Sequence, residues 1–177
     1  MFTYIVAGMK RTGTSMMMEC LEMGGLEISW SRSRDKDLHD ELPNNPNAHF
    51  YELDFVECIW LPLTKYRGTC IKQMGATCLN RGISPMRVVY MIRDEAAQSQ
   101  SQFHACNMPL KTERYQQKNF ACIAAMQNSD EVESCYVANY DEVLKDPLQT
   151  FRRLKDDGWP IDPEKAAKGV KPELKHY

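Results

Sequence analysis

The run Phe2-Thr3-Tyr4-Ile5-Val6-Ala7-Gly8-Met9-Lys10-Arg11-Thr12-Gly13-Thr14-Ser15 decides how this chain folds. Its first part, Phe2–Ala7, is apolar and reads as a buried strand. A loop with glycines at 8 and 13 follows, and then a helical segment, Thr14–Met23, that stops at Gly24-Gly25. A strand, a glycine loop and a helix that opens on hydroxyls outline an anion cradle. The first N–H groups of a helix lack internal partners, and its dipole favours negative charge there. The loop departs from the one that holds nucleoside triphosphates. That loop places Lys and then Ser/Thr directly after its second glycine, to reach the β- and γ-phosphates and a Mg²⁺ ion. Here Thr14 follows Gly13, and the cation, Arg11, precedes it. Arg11, Thr12, Gly13, Thr14 and Ser15 therefore predict a site for a 5′-phosphate group that needs no metal.

The rest of the chain alternates strand-like and helix-like stretches. Thr69–Gln73, Arg87–Ile92 and Ser134–Ala138 read as strands, and Val88-Val89-Tyr90-Met91-Ile92 is continuous enough for a central one. Leu53–Leu61, Glu95–Cys106, Thr112–Met126 and Asp146–Lys155 read as helices. Ser31–Asn47 is a polar excursion ending in Pro43-Asn44-Asn45-Pro46, with a short helix near Asp37–Leu42. The alternation predicts a three-layer α/β/α domain with a central parallel sheet, of the P-loop nucleotide-binding type, over residues 1–177.

Composition excludes several classes. Lys and Arg number 22 against 24 Asp and Glu, for a net charge of −2, so no global field favours nucleic acid or an anionic membrane. No apolar run approaches the roughly 18 residues of a membrane span. The seven cysteines are odd in number, scattered and without a CxxC pair, which points to a reducing, cytoplasmic setting. The N-terminal apolar run reads as the first strand and not as a signal peptide. His39, His104 and His176 show no metal-ligand spacing, and Met16-Met17-Met18 reads as helix core.

Arg93 stands just past the end of the Val88–Ile92 strand, where open α/β sheets bind ligands. Ser99 and Ser101 follow it in the next helix. An Arg fork with a hydroxyl beside it suits a phosphate; the bland reading is a salt bridge with Asp94 at a helix start.

At this point the sequence resembles the sulfotransferase family that uses 3′-phosphoadenosine 5′-phosphosulfate (PAPS). Lys10-Arg11-Thr12-Gly13-Thr14-Ser15 is similar to that family's 5′-phosphosulfate loop, with Lys10 in place of the usual Pro and Thr12 in place of Ser. Arg93, Asp94 and Ser101 fall on its 3′-phosphate motif, though Glu95 replaces a Pro. Tyr140-Asp141-Glu142-Val143 with Asp146-Pro147 resembles a later segment, and Pro160–Ala166 with Val170–Leu174 resembles the tail of bacterial members.

The resemblance implies PAPS as donor, 3′,5′-adenosine bisphosphate (PAP) as product and no metal. It implies Arg11 on the phosphosulfate, Thr14 and Ser15 on the 5′-phosphate, Arg93 and Ser101 on the 3′-phosphate, and Met16 and Tyr140 on the adenine side. Met16 replaces an aromatic residue of cytosolic members. Cys70-Ile71-Lys72-Gln73-Met74 resembles the strand that carries the base in those members, so Lys72 is a second sulfuryl contact. Met74 takes the base's position and cannot accept a proton. Asn47–Glu52 is similar to a bacterial segment, which makes Glu52 the first candidate base and His49 the second. The acceptor is a hydroxyl or amine of a small molecule, and the short chain leaves room for a homodimer that completes its site. Two other readings stay open: a small-molecule kinase using ATP and Mg²⁺, and a non-catalytic nucleotide-binding protein on the same fold.

Overall fold

A computed structural model describes residues 1–41, 49–54, 56–57, 62–107 and 112–171. Parts of four expected features lie outside the described residues: the Pro43–Pro46 turn, Asn47 and Ala48, most of the Leu53–Leu61 helix, and the tail beyond Lys171, which includes His176.

Four strands make the sheet: β1 (Thr3–Gly8), β2 (Cys70–Met74), β3 (Met86–Ile92) and β4 (Val132–Asn139). They lie in the order β2-β1-β3-β4, and every neighbouring pair is parallel. Seven helices are described: α1 (Thr14–Met23), α2 (Arg32–Glu41), α3 (Glu95–Cys106), α4 (Thr112–Gln127), α5 (Tyr140–Lys145), α6 (Pro147–Asp156) and α7 (Pro163–Ala167). The expected α/β/α layering with a parallel sheet is what forms.

The layers follow from the two-residue period of a strand. On β1, Tyr4 and Val6 face a core with Met17, Met18, Leu21, Phe151, Leu154 and Trp159, under α1, α6 and α7. Ile5 and Ala7 face the opposite core, with Leu63, Ile83, Tyr90 and Met126, on the side of α4. All six residues of β1 are buried, as a strand covered on both faces must be.

Local signals set most helix bounds. Asp94 caps α3 by accepting the Ala97 amide at 3.0 Å. Asp146 caps α6 and Pro147 takes its first turn. Asp162 and Pro163 start α7 by the same chemistry, giving a helix where only a tail was expected. α2 begins at Arg32, five residues before the predicted Asp37, with Ser31 accepting the Arg34 amide at 3.3 Å. A first-turn hydroxyl acceptor of this kind outweighs the poor helix propensity of a polar stretch.

The strand order places the binding crevice. From β1 the chain crosses to β2 on one side and then to β3 on the other. The crevice of a parallel sheet opens where the order reverses, outside the carboxyl ends of β1 and β3.

Candidate functional site

The β1–α1 loop sits at that crevice. Gly13 has φ 92, in the left-handed region, and a Cβ there would lie 2.4 Å from the Tyr140 ring. Only glycine lets the loop pass so close to that ring. Arg11 is also left-handed, at φ 66. Thr12 is fully buried, and its hydroxyl donates to the Met9 carbonyl at 2.8 Å. That hydroxyl, expected to meet the ligand, is used to close the loop.

Helix α1 starts with no side-chain cap and no acidic residue in its first turn. The Met17 amide donates to the Gly13 carbonyl at 3.0 Å. The amides of Thr14, Ser15 and Met16 precede that ladder at the positive end of the helix. The Met16 side chain, expected on the adenine side, is buried in the core among Met17 and Leu21.

Two cations converge on the loop. Arg11 Nε donates to Ser101 Oγ at 3.0 Å. Arg93, one residue past β3, donates from Nη1 to the Arg11 carbonyl at 3.5 Å, and its guanidinium lies 4.2 Å from the Tyr140 ring centroid. Arg93, Ser101 and Tyr140 therefore meet Arg11 and Gly13 across a chain separation of 80 residues and more. Gln98 donates from Nε2 to the Lys10 carbonyl and is buried. It stands three residues from Ser101 on the same face of α3, so one helix face fastens the loop at two points. Sequence reading missed Gln98; its spacing from Ser101 is the signal that could have found it. Asp94, beside Arg93, caps α3 through its side chain.

A second group forms beside α1. Lys72 is buried on β2, in register with Val6. Its ammonium donates to Ser15 Oγ at 3.1 Å and to the Phe50 carbonyl, and pairs with Glu52 Oε1 at 2.8 Å. Ser15 also donates to the Phe50 carbonyl at 3.3 Å. Glu52, Lys72 and Ser15 thus belong to one cluster. Met74, half exposed, ends β2 opposite Gly8.

His49, the second candidate base, goes elsewhere. Its Nδ1 lies 2.9 Å from Asp35 Oδ2, while Lys72 takes the Phe50 carbonyl and Glu52; Tyr51 between them has φ 57. Tyr51 holds Glu22 through its hydroxyl at 2.8 Å; burial and that carboxylate push its own proton loss well above the ordinary tyrosine range. Asp35, buried, binds the Phe50 and Tyr51 amides through Oδ1 at 2.6 and 3.4 Å. Asp35 was not singled out in the sequence.

The arrangement is an α/β crevice in which an uncapped helix N-terminus lies beside Arg11, Arg93 and Ser101, with Ser15 of its first turn joined to Lys72. Its motifs resemble the PAPS-dependent sulfotransferase family. No protein-family profile and no curated protein matches the chain. Among solved structures, the chain is similar to retinol dehydratase in complex with androsterone and the inactive cofactor PAP, at 15% identity and a TM-score of 0.48. The match covers 98% of this chain and 64% of that one, so the chain spans less than two thirds of that protein's length. Among the described residues, no helix is long and apolar enough to cross a membrane.

Proposed function

We propose that the chain is a sulfotransferase that moves a sulfuryl group from PAPS to a hydroxyl or amine of a small molecule. The observation that carries the reading is the Arg93 guanidinium, whose Nη1 lies 3.5 Å from the Arg11 main-chain carbonyl of the loop that leads into the uncapped start of α1. The donor set fits a nucleotide with two separate anionic groups: amides and hydroxyls at α1 for one, Arg93 with Ser101 for the other. It lacks the Lys after Gly13 that a γ-phosphate requires.

When bound, the donor supplies an activated sulfuryl group. Arg11 would hold the phosphosulfate end of the donor and supply the positive charge that offsets negative charge growing on its leaving oxygen. Glu52 takes the proton of the acceptor hydroxyl as its oxygen bonds to sulfur. Lys72 fixes one oxygen of Glu52 at 2.8 Å and leaves the other for that proton. Tyr140 supports the Arg93 guanidinium from below. Met74 at the position of the cytosolic members' base favours a second reading, a nucleotide-binding protein without turnover.

Thermal stabilisation separates the readings. PAP at about 100 times its Kd adds roughly 2.7 kcal/mol to stability, and ATP with Mg²⁺ adds none of comparable size. Arg93→Ala weakens PAP far more than an analogue without the 3′-phosphate. Stabilisation by ATP–Mg²⁺ alone turns the reading to a kinase. PAP binding without sulfuryl transfer to any of a panel of phenols, alcohols and amines turns it to the non-catalytic protein.

A further inference from the structure

Asp35, His39 and His49 form a cluster that the nucleotide site does not use. Asp35 and His39 stand four residues apart on α2, on one face of the helix. His49 comes from the segment that returns past α2. Asp35 Oδ2 lies 2.9 Å from His49 Nδ1 and 3.6 Å from His39 Nε2, and the three ligand atoms all lie within 4.8 Å of one another. Ligands about 2.0–2.1 Å from a tetrahedral zinc stand roughly 3.3 Å apart, between the two Asp35 separations.

The surroundings suit a bound ion. Asp35 is buried, and its other oxygen is held by two backbone amides, which fixes the orientation of the carboxylate. Trp30 packs on the His49 ring at 4.7 Å between centroids, and Phe50 packs edge-on against His39 at 5.0 Å. The two imidazoles remain 38% and 44% exposed, which gives an ion a way in. An open pocket lies against them, and its wall also carries the carboxylate of Asp40.

We infer that Asp35, His39 and His49 bind a divalent transition-metal ion of the zinc type. Two imidazoles and one carboxylate suit Zn²⁺ and Co²⁺ and not Mg²⁺ or Ca²⁺, which take oxygen ligands. Ligation replaces the His49–Asp35 hydrogen bond: Nδ1 meets the metal through its lone pair, and the ring keeps its hydrogen on Nε2. The ion joins α2 to His49, next to the Phe50 carbonyl and Glu52 that hold Lys72. It braces the segment that lines the candidate site and takes no part in sulfuryl transfer. Sequence spacing hid the site because ten residues separate His39 from His49 and the carboxylate is on the helix.

Co²⁺ titration of the full chain tests this, read by visible d–d absorption and by quenching of Trp30 emission. Saturable binding of one equivalent is expected, displaced by Zn²⁺ and unaffected by excess Mg²⁺. His39→Gln and His49→Gln each weaken it by more than the roughly 10–100-fold that losing an outer hydrogen-bond partner costs. No saturable binding, equal binding in both variants, or a thiolate-to-cobalt charge-transfer band from a cysteine site overturns the inference. NMR of the wild-type imidazole nitrogens with Zn²⁺ decides even if a variant fails to fold. Shifts confined to His39 and His49 support the site, and shifts absent there or equal at His104 and His176 refute it. Neither measurement involves nucleotide, so the outcome is independent of the function proposed above.

Discussion

Replacing Lys72 by Met keeps the length of the side chain and removes its charge and three donors. The Lys72 side chain is 7% exposed, and its ammonium has three partners: Ser15 Oγ, the Phe50 carbonyl and Glu52. Hydrogen bonds to a charged group contribute about 1.5–3 kcal/mol. The Phe50 carbonyl keeps its bond from Ser15, which lowers the loss. The Glu52 partner is 36% exposed, so its ion pair adds only about 0.2–1 kcal/mol after screening. Relief from holding a charge in the interior offsets part of the remainder. The net destabilisation expected for Lys72→Met is about 2 kcal/mol, or roughly 4–8 °C in Tm for a chain of this size. Urea denaturation followed by circular dichroism measures it. Glu52→Gln serves as the comparison: it leaves the two interior bonds of Lys72 in place and costs under about 1 kcal/mol. A Lys72→Met change below about 0.5 kcal/mol, or a Glu52→Gln change as large as that of Lys72→Met, refutes the argument. The first result means that the ammonium is not anchored inside. The second means that the exposed ion pair, and not the Phe50 carbonyl, holds the segment.

Gly13→Ala meets both a left-handed backbone and the Tyr140 ring at 2.4 Å; it destabilises by more than about 1 kcal/mol and weakens nucleotide binding, measured by thermal shift and calorimetry, and an unchanged Tm argues against this loop geometry. Burial pushes the Cys20 and Cys78 thiols up from 9.0 to about 12. Their folded values exceed the unfolded one, so their contribution to stability is whole below pH about 9 and is lost as pH rises toward 12. Alkylation of these two cysteines is therefore expected to track global unfolding. Labelling of the folded chain as fast as of the urea-unfolded chain would falsify that burial.

Much of the frame was legible in the chain. The Thr14–Met23 and Glu95–Cys106 helices fall on their predicted bounds, because Gly13, Gly24 and Asp94 are local signals that act within one turn. The four strands shift by one or two residues, since strand ends depend on which neighbours extend the ladder. α2 began earlier than predicted because a capping hydroxyl at Ser31 decides its start.

The sequence by itself determined the strand–loop–helix at the N-terminus, the layering, and the absence of a Lys after Gly13. These depend on residue type and short-range spacing. Only the tertiary structure decided what each loop residue does. Arg11 reaches Ser101 across 90 residues, Lys72 reaches Ser15 across 57, and Asp35 gathers Phe50, Tyr51, His39 and His49 around one carboxylate. It also turned the Thr12 hydroxyl inward to Met9 and Met16 into the core. Partners so far apart meet only because a parallel sheet brings the carboxyl ends of its strands to one edge.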